Sequence, residues 1–204
     1  MTTLDTIQAL YVDPESGPYV EILGQDNCWG VDRDAKTYDG PGPVVAHPPC
    51  KPWGKLAWSW LAKNERDGLD RSDEKACGPR AVEQVRAFGG VLEHPDGSGL
   101  WSECALPEPR PLMDLRLMLF RPLEFTIVID QCDFGFPARK RTRLFFAGID
   151  PGSLPLMPPK GTPTMTIGTK REDRHGKKCL PKSMRHLTTP TLGRWLVAAA
   201  RSAQ

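Results

Sequence analysis

The residues best suited to chemistry lie in three short segments. The first is Val44 to Gly54, VVAHPPCKPWG, in which an apolar stretch runs into a turn that bears Cys50. Pro48 and Pro49 fix φ and remove backbone donors, so the thiol is expected to be held at a strand's end, where it can attack an electrophile. A structural Pro-rich turn with an incidental cysteine is the other reading of this segment alone. The second segment, GGVLEHP, closes a strand with Glu93, a carboxyl able to keep or share a proton if its pKa is raised. The third, FGFPARKRTRLFFAG, carries Arg139, Arg141 and Arg143 at alternate positions leading into a strand. Side chains two apart on a strand point the same way, so these arginines are expected to converge on one anion or base edge; a solvated charge run is the alternative.

Such groups need elements to position them. Four short apolar runs read as strands buried on both faces: Pro43 to Ala46, Gly90 to Glu93, Phe125 to Ile129 and Leu144 to Ile149. Between the first two, Ser72 to Phe88 carries Ala81, Val82, Val85 and Phe88 at helical spacing, with Ser72 as the expected cap and Gly89-Gly90 as the stop. Strand, helix, strand implies a parallel crossover, so the fold class is α/β, an open and mostly parallel sheet with flanking helices. Ligands of such sheets sit beyond the carboxyl ends of the strands, where HPPC and EHP fall. Asp150 to Arg185 shows no periodicity and reads as a loop or arm. After it, Thr188 or Thr189 can cap a last helix with Pro190 in its first turn, and Leu192, Trp195, Leu196 and Ala199 form a stripe expected to pack on the core. The organisation is a core over 1–158, a basic loop or arm over 159–186 and a C-terminal helix over 187–204.

A chain of 204 residues suits one well-buried core with an appended tail. No apolar run approaches the roughly 20 residues of a membrane span, and MTTLDTIQALYVDPE has no basic start followed by an apolar core, so the expected location is the cytoplasm. Six cysteines at 28, 50, 77, 104, 132 and 179 form no CxxC pair, which argues against a zinc knuckle and a redox dithiol. The net charge of +2 is segregated: residues 1–159 hold 17 Lys/Arg against 23 Asp/Glu, and 160–186 hold 8 against 2. Lys170, Arg171, Lys177 and Lys178 in that basic stretch, with Arg139, are candidates for phosphate contacts; a solvated tail is the other reading.

In VVAHPPC, Glu93-His94-Pro95 and the run Arg139 to Arg143 after Phe134-Gly135-Phe136-Pro137, the chain resembles the cytosine-C5 DNA methyltransferases in motif and in motif order. It is also similar, through AHPPC, Trp53-Gly54 and LEHP, to short bacteriophage-encoded proteins, for which the location would be the host cytoplasm. The resemblance implies a Rossmann-like methyltransferase core, with Cys50, Glu93, Arg141 and Arg143 as catalytic residues. It also implies S-adenosylmethionine as cofactor, with Asp32, in Cys28 to Tyr38, gripping its ribose. The implied reaction has the Cys50 thiolate adding to C6 of a pyrimidine while Glu93 holds N3 and a basic group steadies the adduct. The substrate would be DNA or a pyrimidine nucleotide, with a duplex base flipped out first.

The chain departs from that family in several places. The turn Tyr11 to Pro18 keeps one glycine where the family has several, His94 replaces an Asn, and Arg139 replaces a Gln. Only 56 residues follow Gly148, too few for a target-recognition region, so sequence specificity would need a partner protein. Two rival readings follow. One is a zinc nucleobase deaminase, or a metal site joining His47 and His94 to Cys50, although the required His-x-Glu and Cys-x-x-Cys are missing. The other is a catalytically inactive, methyltransferase-like nucleic-acid-binding module.

Overall fold

Short apolar runs become central strands when both of their faces are covered. The computed structural model describes residues 6–118, 120, 122–168 and 176–203. Its six strands are β1 (Gln8–Leu10), β2 (Cys28–Trp29), β3 (Val44–Ala46), β4 (Gly90–Pro95), β5 (Glu124–Asp130) and β6 (Arg141–Ala147), in the sheet order β2-β1-β3-β4-β6-β5. Strands β1 to β4 are parallel, and β6 runs antiparallel to both β4 and β5. The protein is therefore α/β, with a mostly parallel mixed sheet and flanking helices.

The helices are α1 (Pro18–Leu23), α2 (Ala57–Arg66), α3 (Ser72–Phe88), α4 (Leu100–Glu103), α5 (Leu112–Leu117) and α6 (Pro190–Ala200). One sheet face, with Ala9, Val45, Val91, Ile127, Leu144 and Phe146, packs against Tyr19 of α1 and Leu192, Leu196 and Ala199 of α6. The other face, with Leu10, Val44, Ala46, Leu92 and Phe145, packs against Ala81, Val82 and Val85 of α3 and against Trp53 and Trp101. All four predicted strands are present, and the crossover through α3 joins the parallel pair β3 and β4. Strands β1 and β2 were not among them, because QAL and CW are too short to show any period.

Two details of the helix ends differ or sharpen. Ser72 does not cap α3; it is the first helical residue, and the Asp70 carboxylate accepts its N–H at 2.8 Å. Thr189 does cap α6, its hydroxyl oxygen accepting from Leu192 N–H at 3.2 Å. The irregular segment after β6 is held to the body at described points. Gly161 N–H and Lys160 Nζ both reach the Asp133 carboxylate at 2.9 Å, and Met165 packs with Phe136, Ala138 and Leu180. Among the described residues no helix is long and apolar enough to cross a membrane.

The β3–β4 register depends on one residue without a side chain. Gly90 has φ +123°, and a Cβ there would lie 2.0 Å from the Val44 carbonyl oxygen, which no rotamer change relieves. Gly90→Ala is expected to lower stability by about 3 kcal/mol or more, read as a lower urea midpoint at unchanged slope.

Candidate active site

The ladder between β3 and β1 runs on to His47, whose N–H donates to the Leu10 carbonyl at 3.0 Å. Pro48 and Pro49 have no N–H and end it. The chain then enters a 3-10 turn, Lys51–Trp53, pinned by the buried Trp53, whose carbonyl accepts from Gly99 N–H at 2.8 Å. Cys50 is thus left exposed between a central strand and a buried anchor. Its thiol side is nonetheless crowded by protein: this desolvation and the negative charge of Glu93 raise its pKa, against the opposing charge of Lys140. The resting residue is a thiol, not a thiolate.

Glu93 sits inside β4 at 8% exposure, and both of its oxygens are held. His47 Nδ1 lies 3.0 Å from Oε2, and Gln131 Nε2 donates to Oε1 at 2.9 Å. The same Gln131 amide donates to Thr142 Oγ1 at 3.0 Å, and Tyr19 Oη lies 2.6 Å from His47 Nε2. Tyr19 is buried, and burial together with the charge of Glu93 holds its phenol well above the usual range. The phenol therefore keeps its proton; with that O–H donating to Nε2, the Nδ1 of His47 carries the ring proton and aims it at the carboxylate. Burial pushes the Glu93 carboxyl up, but the His47 hydrogen bond and the charge of Lys140 outweigh it and bring its pKa down to about 2. The sequence allowed for a Glu93 that keeps its proton; the structure has a buried, fully ionised carboxylate.

The expected meeting of thiol, carboxyl and guanidinium takes place with a different cation. Glu93 stands opposite Leu144 and His94 opposite Arg143 in the β4–β6 ladder, so Glu93 and the arginines point to opposite faces of the sheet. Arg141 and Arg143 converge as predicted, but on the protein's own Asp96, at 2.7 and 2.6 Å, with Glu108 a further partner of Arg143 at 3.4 Å. Arg139 pairs with Asp130 at 3.0 Å. Lys140 has the parity of Thr142 and so falls on the Glu93 face, where its charge acts on both Glu93 and the Cys50 thiol. On the arginine face His94 is 1% exposed and edge-on to Trp101. Burial holds its pKa down to about 4, with Glu93 opposing.

A cavity of about 810 Å³ lies beyond the carboxyl ends of β1 and β2 and extends to Pro49, the residue before Cys50; Tyr11, Asp13, Asp32, Asp34 and Cys77 also line it. Its size falls within the roughly 300–1,000 Å³ of small-molecule sites. Strand order reverses here, since β2 and β3 flank β1, which is where open α/β sheets place ligands. Seven carboxylates line it against Lys36 and Arg71, and those two cations are already paired with Asp73 and Glu74. The site thus suits a ligand with positive charge. Gly30 lets the turns after β1 and β2 meet, because a Cβ there would stand 2.6 Å from the Val12 carbonyl oxygen.

Of the residues singled out in the sequence, Cys50 and Glu93 share one site, Asp32 lines the adjoining cavity, and Arg139, Arg141 and Arg143 form an ionic strip on the other face. Lys177 donates to the Pro163 carbonyl at 2.9 Å and Lys178 is exposed, while Lys170 and Arg171 lie outside the described residues. Among the described residues no group of three or more His, Cys, Asp or Glu side chains is placed to hold a metal, and His47 and His94 lie on opposite faces. Tyr19, Gln131 and Lys140 were missed. Lys140 alone had a visible signal, its place between two alternating arginines, which assigns it to the other face. No protein-family model matches the chain, and no curated protein matches its sequence.

Two measurements test this electrostatic arrangement. A His with a depressed folded pKa loses stability as pH falls, because the unfolded chain takes up a proton that the native state refuses. Stability should therefore drop by about 3 kcal/mol in order of magnitude between pH 6.5 and 4 through His94, then further from 4.5 toward 2 through Glu93; His94→Gln should remove the first limb. Separately, Lys140→Gln should slow alkylation of Cys50 by iodoacetamide at pH 8 by about threefold or more, while Arg143→Gln leaves that rate unchanged, read on the Cys50 peptide by mass spectrometry.

Proposed function

We propose that the protein is a pyrimidine-base-modifying enzyme of the cytosine-C5 methyltransferase type, with Cys50 as the nucleophile. The observation that carries this reading is the joint placement of Cys50, in the turn after β3, and the ionised Glu93 of the neighbouring strand β4, with Pro49 lining a cavity on the way. The sheet fits a Rossmann-like core, with its reversal point between β2 and β3. The acidic cavity fits S-adenosylmethionine in charge, since the sulfonium and ammonium groups are cations, and Asp32 is the residue to hold the ribose. When bound, that cofactor supplies an electrophilic methyl group.

The chain's own residues account for the rest of the chemistry. Cys50 loses its proton to solvent, and its sulfur forms a bond to C6 of the ring while the C5–C6 π electrons move onto C5 and the conjugated ring. Glu93, ionised and so an acceptor only, takes a hydrogen bond from the exocyclic amine beside N3, and Lys140 offsets negative charge on the thiolate and ring. Once C5 has bonded to the methyl group, elimination passes the C5 proton to solvent, reforms the C5–C6 double bond with that electron pair and expels the Cys50 sulfur as thiolate. Because the resting thiol has a raised pKa, adduct formation should speed up as pH rises. The substrate is DNA or a pyrimidine nucleotide; on duplex DNA a partner protein would supply recognition.

A mechanism trap tests the reading. DNA containing 5-fluorocytosine is expected to form a covalent adduct with the wild type, dependent on S-adenosylmethionine and missing in Cys50→Ala. Calorimetry should detect S-adenosylmethionine binding that Asp32→Asn weakens by about tenfold. Absence of any adduct on DNA or nucleotide would instead favour a non-catalytic binding module.

A further inference from the structure

The proposed chemistry uses Cys50, Glu93 and Lys140, yet the best-connected group in the site is His47. It comes from the turn after β3, is tied to α1 through Tyr19 Oη at 2.6 Å and to β4 through Glu93 Oε2 at 3.0 Å. It thus adds a polar tie between α1 and the hydrogen-bonded strand pair β3 and β4. Its ring also packs against that of Tyr19, with centroids 5.2 Å apart. On the other oxygen of Glu93, Gln131 is buried and itself tied to Thr142.

We propose that His47, clamped between Tyr19 and Glu93, is a positioning residue that fixes the Glu93 carboxylate in the orientation the substrate ring meets. The inference deepens the reading of Cys50 and Glu93 as a base-modifying pair and rests on it. A carboxylate on a flexible side chain must be oriented each time it accepts a hydrogen bond, whereas one held at both oxygens needs no reorganisation. Each oxygen engaged by the protein keeps a second lone pair for the substrate. The Tyr19 hydroxyl keeps the His47 proton on Nδ1, in the manner that an outer partner fixes the tautomer of a functional imidazole. The charged and titratable groups around Glu93 are His47 from the β3 turn, Cys50 beyond it, His94 on its own strand, Lys140 from the turn before β6 and Tyr19 from α1.

The test separates the clamp from the chemistry. The carboxyl ¹³C signal of Glu93, assigned by its loss in Glu93→Gln, should remain that of a carboxylate down to about pH 3 in the wild type. In His47→Leu its midpoint should rise by about one pH unit or more, and in His47→Asn, whose amide can replace the Nδ1 donor, it should return most of the way. On the 5-fluorocytosine trap, His47→Leu should slow adduct formation at saturating DNA by about tenfold while the half-saturating DNA concentration changes less than about twofold, with rescue by Asn. Tyr19→Phe removes only the hydroxyl; it should shift the ¹⁵N tautomer signals of His47 and slow the adduct by about threefold, and it serves if His47→Leu does not fold. An unchanged Glu93 titration in His47→Leu, equal effects of Leu and Asn, or unchanged His47 signals in Tyr19→Phe would overturn the clamp. No adduct in the wild type would overturn the base-modifying reading instead, with the Glu93 titration still deciding the clamp.

Discussion

A buried negative charge organises this protein's site. An ionised carboxylate removed from water costs several kcal/mol unless hydrogen bonds and opposite charge replace what hydration supplied. Glu93 is in that position, and the surrounding structure answers with a His47 donor, a Gln131 donor and the nearby charge of Lys140. Each comes from a separate stretch of chain, so the site exists only when β3, β4, the turn after β5 and the start of β6 are docked in register. The same demand explains why α1 carries a buried Tyr19 and why a buried Thr142 shares its face of β6 with the apolar Leu144 and Phe146.

The period of two along a strand decides which cation serves that charge. Glu93 and Lys140 belong to one sheet face, and His94, Asp96, Arg141 and Arg143 to the other. Three arginines at alternate positions looked like an anion-binding comb, and they do act as one, but their anions are Asp96, Asp130 and Glu108 of the same chain. The strip ties the turn after β4 to β6, and it surrounds a neutral His94 whose burial keeps it uncharged. One strand thus supplies a structural ionic lattice on one side and site chemistry on the other.

The acidic cavity and the thiol are linked through the Pro48-Pro49 turn, which contributes Pro49 to the cavity wall and presents Cys50 at the adjoining site. Crowding around the sulfur and the nearby carboxylate keep the cysteine protonated at rest. A nucleophile in that state is protected from adventitious oxidation, because the thiolate is the reactive form.

Sequence alone determined the elements with strong local signals: the four apolar strands, the α3 stripe ending at Gly89-Gly90, the Pro190 helix, and the turn that takes Cys50 out of its strand. Apolar continuity, helical spacing and the missing N–H of proline act over a few residues, so they are legible without the fold. Strands β1 and β2 were hidden because three and two residues carry no period. Only the tertiary structure decided which side of the sheet each polar residue faces, and hence that Lys140, not Arg141 or Arg143, accompanies Glu93. It alone brought Tyr19, His47 and Gln131 together and set the ionisation of Glu93, since pKa depends on burial and on partners 28 to 46 residues apart in the chain.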